Sequence, residues 1–212
     1  MYNVMIFDPG ESTGYCIIEI NNNSATILQY GFFDIDKSSD YIGDHCINLM
    51  TQVEDKLREY KVVKCGIEDY FFSKRTANGS NCNAAYRTAI HILCRMLDIE
   101  YFVINISSWK IYVAGRRNPT KVQKKEWGKS ANKIFIQDAL WSKWGIRFPN
   151  YCISNKTGKC IHPRYDIVDV VAQGIYYCGI VLNINNIRCA VVPPEDISWD
   201  RKNKPKILYT YI

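Results

Sequence analysis

The feature that most narrows the fold is the opening strand and the turn that leaves it. Tyr2 to Phe7 is an apolar run that ends on one acid, Asp8, and Pro9-Gly10 follows at once. Proline cannot donate to a strand ladder and glycine admits turn geometry, so the strand stops there. A carboxylate at the end of a buried strand packs poorly and is well placed for a metal ion. Taken alone, Asp8 reads equally as a strand-ending acid that caps a turn.

Gly14 to Ile20 and Ala25 to Phe33 read as second and third strands, joined by a turn at Asn21-Asn22-Asn23. Three strands with short connections form an antiparallel meander. The period then changes: Ile42, Cys46, Leu49, Val53 and Leu57 recur at helical spacing between Asp40 and Tyr60. Val62 to Glu68 is a fourth strand, Ala84 to Leu97 a helix, and Glu100 to Ile106 a fifth strand leading into Ser107-Ser108-Trp109-Lys110. An amphipathic helix spans Lys129 to Trp144, a loop with a turn at Thr157-Gly158 spans Arg147 to Ile161, and Asp166 to Val181 is a strongly apolar helix. The expected fold is α/β, a mixed five-stranded sheet (antiparallel meander plus parallel strands) with helices on both faces. With the first strand central and the fourth parallel beside it, Asp8 and Glu68 meet. One domain over residues 1–182 is expected, with residues 183–212 as an extension packed on it or trailing it.

Two further acids, Asp166 and Asp169, stand three apart at the start of the last helix, so both carboxylates share a face. Capping explains either alone; two at the mouth of an apolar helix fit capping less well. Four carboxylates from two strand ends and one helix start would bind hard divalent cations through oxygen. Two such ions about 4 Å apart activate a water and stabilise the leaving oxygen of a phosphodiester.

Charge distribution points the same way. Between Lys110 and Lys133 eight bases face one acid, Glu126, a net +7 against +6 for the whole chain. A basic flank beside an acidic pocket suits a polyanionic substrate, and together they indicate a metal-dependent nuclease. Nine scattered cysteines, several inside apolar runs, read as reduced thiols of an intracellular, reducing compartment, with secretion not expected. No run reaches the roughly 18 apolar residues of a spanning helix, so no membrane partner is expected. Cys152, Cys160 and His162 form C-x7-C-x-H, but a fourth ligand is not evident and zinc is not adopted.

These residues carry a resemblance over roughly Met1 to Tyr177. Asp8-Pro9-Gly10 with Thr13-Gly14-Tyr15, then Ile67-Glu68 with following aromatic and basic residues, then Asp166-x-x-Asp169 with Val-Val-Ala, resemble the three acidic motifs of RuvC-type Holliday junction resolvases in the RNase H-like superfamily. A viral or phage member would fit. The resemblance implies a homodimeric endonuclease that cuts four-way DNA junctions symmetrically, leaving 5′-phosphate and 3′-hydroxyl ends. It implies two Mg2+ ions per site, which Mn2+ can replace, held by Asp8, Glu68, Asp166 and Asp169, and no small-molecule cofactor.

By resemblance, too, Lys110 and Lys121 contact the scissile phosphate or help activate the water. On the residues alone, Lys110 is a solvated strand end and Lys121 one charge in a basic face. The family places an aromatic after the second acid that stacks on an unpaired base. Phe71 matches it, with Phe72 as second candidate; one such stack contributes about 1–3 kcal/mol. Lys74, Arg75, Arg116, Arg117, Lys121, Lys124 and Lys125 are the expected DNA-backbone contacts. The helix from Ala84 resembles the family's dimer helix. Alternatives are a nuclease for RNA–DNA hybrids on the same sheet, a sugar-kinase/actin-type ATP-binding protein, and a non-catalytic junction binder.

Overall fold

The computed structural model describes residues 1–10, 12–69, 77–128, 131–146, 148, 152–153, 160–161 and 165–191, with residues 77–81, 133, 152–153, 160–161 and 165–166 described by backbone alone. Strands β1 (Tyr2–Asp8), β2 (Thr13–Asn21) and β3 (Ser24–Phe33) form the meander, followed by α1 (Ile42–Glu59) and β4 (Val62–Glu68). Helix α2 (Ala77–Met96), β5 (Glu100–Ile104), α3 (Ile106–Ala114), α4 (Lys121–Trp127) and α5 (Ala131–Trp144) follow. A short hairpin, β6 (Cys152–Ile153) with β7 (Cys160–Ile161), precedes α6 (Tyr165–Tyr176), a π-helical turn (Tyr177–Val181) and β8 (Asn186–Cys189).

Among the described residues one sheet has the order β5-β4-β1-β2-β3-β8. β1 lies inside it, antiparallel to β2 and parallel to β4, with Phe7 opposite Ile67. β8 adds a sixth strand parallel to β3, so the start of the C-terminal extension is part of the sheet. The five expected strands are all present.

Strand periodicity divides the core. Val4 and Ile6 of β1, with Cys16 and Ile18 of β2, join the layer of α3, α5 and α6. Met5 and Phe7, with Tyr15 and Ile17, join the layer of α1 and α2. Alternate residues point to opposite faces, so Asp8 continues the Val4–Ile6 side and Glu68 the Gly66 side, both towards α6. Each fully buried Ile, Leu or Phe stabilises the fold by about 1.5–3 kcal/mol, and both layers contain many of them.

Several boundaries differ from expectation. Ile42 is 41% exposed, and the buried stripe of α1 is Leu49, Val53 and Leu57. α2 begins at Ala77, before the apolar pattern starts. The fifth strand stops at Ile104 because Asn105 caps a helix, its side chain accepting from the backbone N–H groups of Ser107 and Ser108. Lys110 is therefore a helical residue. Inside the basic segment, Thr120 and Gln123 form a capping box that opens α4.

Candidate active site

The site lies where β1 and β4 end under α6 and α3. Asp8 and Glu68 stand side by side because their strands are parallel and in register. Gly66 leaves room on this face for side chains of the two neighbouring strands: a Cβ there would lie 2.5 Å from Phe102 Cζ and 2.7 Å from Ile6 Cδ1. α6 brings Asp169 from above, 6% exposed on a helix whose residues Ile167 to Ile175 are all buried.

Glu68 is the centre of this group. Burial pushes its carboxyl above the ordinary range, and the charge of Asp169 pushes the same way. Hydrogen bonds from Asp8 and Trp109 and the charge of Lys110 pull it back. Asp8 and Glu68 are thus within reach of each other at the ends of their strands.

Trp109 supplies the other hydrogen bond. Its indole Nε1 donates to Glu68 Oε1 at 2.8 Å, and its side chain is fully buried. Lys110 Nζ stands 5.0 Å from the centre of the same indole ring. α3 holds both residues: Asn105 caps its start, Gly115 (φ 74°) closes its end, and Lys143 Nζ donates to Val113 O at 2.7 Å.

Asp8, Glu68, Asp169 and Lys110 are thus brought together. Asp166 sits in the first turn of α6, and its side chain lies outside the described residues. Phe71, Phe72, Lys74 and Arg75 lie outside them as well, as does His162. Lys121 stands exposed on the first turn of α4, and it is not among the groups that act on Glu68. Arg116, Arg117, Lys124 and Lys125 are exposed with it. Arg116 is held by Gln123 Oε1 at 3.1 Å and lies 5.2 Å from the Phe135 ring centre. The result is a basic surface around α4.

Sequence alone assigns none of Trp109, Trp127, Trp141 and Trp144 to core or to nucleic-acid contact, and here Trp109 reaches the site. It is core, and its N–H meets a carboxylate. The Asn105 cap signal would have turned Trp109 and Lys110 onto a helix, but nothing local to Trp109 points to Glu68.

The donors suit a hard divalent cation: they are carboxylate oxygens, and a cation would offset the charge that burial and Asp169 disfavour on Glu68. Among the described residues, no three His, Cys, Asp or Glu side chains already stand in a metal-holding arrangement.

Comparison with known proteins bears on this geometry. The family model described as crossover junction endodeoxyribonuclease RuvC matches residues 4–129. A crossover junction endodeoxyribonuclease RuvC from Brachyspira hyodysenteriae (strain ATCC 49526 / WA1) is 27% identical over 115 residues, 54% of this chain and 71% of that protein. The Thermus thermophilus RuvC structure superposes with a TM-score of 0.58 at 12% identity, covering 84% of this chain and 96% of that one. T. thermophilus RuvC in complex with Holliday junction substrate gives 0.56 at 12% identity, covering 84% and 95%. At that identity the two structures show the fold. The family match ends before α6, so Asp169 joins the site through geometry.

Proposed function

The chain belongs to the RuvC family of crossover junction endodeoxyribonucleases, and from that premise we propose that it is a metal-dependent, homodimeric resolvase of four-way DNA junctions. The observation that carries this reading is the convergence of Asp8, Glu68 and Asp169, with Lys110, beside the exposed basic surface of α4. We assign Asp8, Glu68, Asp169 and, from the first turn of α6, Asp166 to holding two Mg2+ ions. Bound divalent ions would supply an activated water and charge stabilisation for the departing oxygen.

The protein's own residues do the rest. The half-buried carboxylates at the ends of β1 and β4 set the donors on rigid elements, and loading would draw their side chains together. Trp109 orients Glu68. Lys110, held against the indole, offers a positive charge to the scissile phosphate, and Lys121 with Arg116, Arg117, Lys124 and Lys125 binds adjacent backbone phosphates. Phe71 or Phe72 is proposed to stack on an unpaired base. Hydrolysis then leaves 5′-phosphate and 3′-hydroxyl ends, and two subunits give paired cuts on a two-fold substrate.

The test is incubation with a labelled four-way junction, plain duplex and RNA–DNA hybrid, each with Mg2+ or EDTA, alongside Asp8→Asn. Paired nicks on the junction alone, lost with EDTA and in the variant, are expected. Cleavage confined to the hybrid would replace the junction by another substrate on the same site. Junction binding without cutting under any divalent metal would remove the catalytic reading.

A further inference from the structure

Among its described residues, α6 buries one polar side chain besides Asp169. Ile167, Val168, Val170, Val171, Ala172 and Ile175 are apolar and buried, and Gln173 lies among them with no exposed surface. We infer that Gln173 is a positioning residue, whose side-chain amide N–H donates to the Asp169 carboxylate and holds it towards the bound cations. This rests on the acidic cluster being a divalent-cation site.

The placement comes from three residues spaced one turn apart. Asp169, Gln173 and Tyr177 are 6%, 0% and 1% exposed, and their four-residue spacing puts them on one face. Asp169 acts on Glu68 at the end of β4, and the Tyr177 ring stacks on Phe102 of β5 with centres 4.3 Å apart. Gln173 therefore faces the sheet between them. Helical side chains lean towards the N-terminus, onto the preceding turn, which aims the Gln173 amide at Asp169. Among the described residues neither Nε2 nor Oε1 of Gln173 has a hydrogen-bond partner. A buried amide left in that state is costly, and where one is kept it marks a place where a partner is engaged. A carboxylate drawn to a cation still has room for such a donor, because its two oxygens offer about four acceptor sites. Groups that hydrogen-bond a metal-ligating carboxylate fix its orientation. Gln173 acts through Asp169 and touches neither ion nor substrate.

The amide can be removed without removing its bulk. Gln173→Met keeps the length of the side chain and deletes both polar atoms, with Gln173→Leu as a second variant. Mg2+ and Mn2+ affinities of the full chain are measured by calorimetry without DNA, and thermal melting in EDTA reads the metal-free fold. In isotopically labelled, unaltered protein, the assigned Gln173 side-chain amide resonance reports on the hydrogen bond itself.

Affinity for both ions is expected to fall by about tenfold or more in both variants, the range for lost partners of metal ligands. The metal-free Tm should hold or rise, because a buried unpaired amide is gone. The Gln173 amide proton should move downfield as Mg2+ saturates the unaltered protein. A glutamine that serves only the core, by holding a buried water, would lower Tm on replacement and leave affinity and resonance in place, which overturns the inference. If neither variant folds, the resonance of the unaltered protein decides. Should the unaltered protein bind neither ion, the cation site and this inference fall together; if it binds them and Gln173→Met binds them equally well, only the role of Gln173 falls.

Discussion

Asp8 and Glu68 close neighbouring parallel strands and are hydrogen-bonded to each other. Asp169 adds a third acid to the same place. Burial and the charge of Asp169 both work against an ionised Glu68, so the cluster loses stability when it is charged without a counterion.

Removing one of these acids should separate stability from chemistry. Asp8→Asn and Glu68→Gln keep shape and hydrogen bonding while deleting a charge. Each should lower junction cleavage by more than about a hundredfold, since even outer-shell changes at metal sites cost 10–100-fold. Each should also raise the metal-free Tm at neutral pH by roughly 2–4 °C per kcal/mol of repulsion relieved. Single-turnover cleavage and calorimetric melting in EDTA check both; a lower Tm in both variants would contradict the electrostatic account.

Glu68 also sets a pH dependence. Its folded value is raised above the ordinary 4.5, so the folded state binds this proton more tightly than the unfolded chain does. The resulting stabilisation is full below 4.5 and is lost as pH rises through the folded value. Metal-free protein should therefore lose stability above pH 4.5 relative to Glu68→Gln, and saturating Mg2+ should reverse that loss at neutral pH. Melting curves across this range, with EDTA or Mg2+, measure the difference.

The α4 surface should act through phosphate charge. Lys121→Ala, or Lys124→Ala, should weaken junction binding and reduce the slope of log affinity against log salt by about 0.9 for each phosphate no longer neutralised. Fold stability should change little, because both side chains are exposed. Binding titrations at several salt concentrations decide it, and an unchanged slope would place these lysines off the DNA.

Gly66 should tolerate no side chain. A methyl group there would meet Phe102 Cζ at 2.5 Å and Ile6 Cδ1 at 2.7 Å, so both side chains would have to turn aside within a packed face. Overpacking of this kind costs about 1–3 kcal/mol. Gly66→Ala should lose that much in denaturant unfolding and also reduce cleavage, since Glu68 lies two residues further on the same face.

Much of this arrangement was legible because it is written in local pattern. The apolar runs ending at Asp8 and Glu68, with the turn at Pro9-Gly10, mark two strand ends. The helical spacing of Leu49, Val53 and Leu57 identifies α1, and Asp169 was marked by two acids on an apolar helix. What escaped was partly local but quieter. Asn105 ends β5 and opens α3, and Thr120 with Gln123 opens α4; each is a capping signal inside a stretch dominated by other patterns.

The sequence by itself determined which residues alternate across the sheet, where the strands stop, and which acids stand at those stops, because backbone periodicity and turn chemistry act between near neighbours. Only the tertiary structure decided that β8 adds a sixth strand beside β3 and that the indole of Trp109 donates to Glu68, 41 residues away. Those relations arise when layers pack: a buried N–H needs a partner, a half-buried carboxylate offers one, and burial raises the cost of leaving the N–H unmatched. No spacing along the chain encodes that meeting.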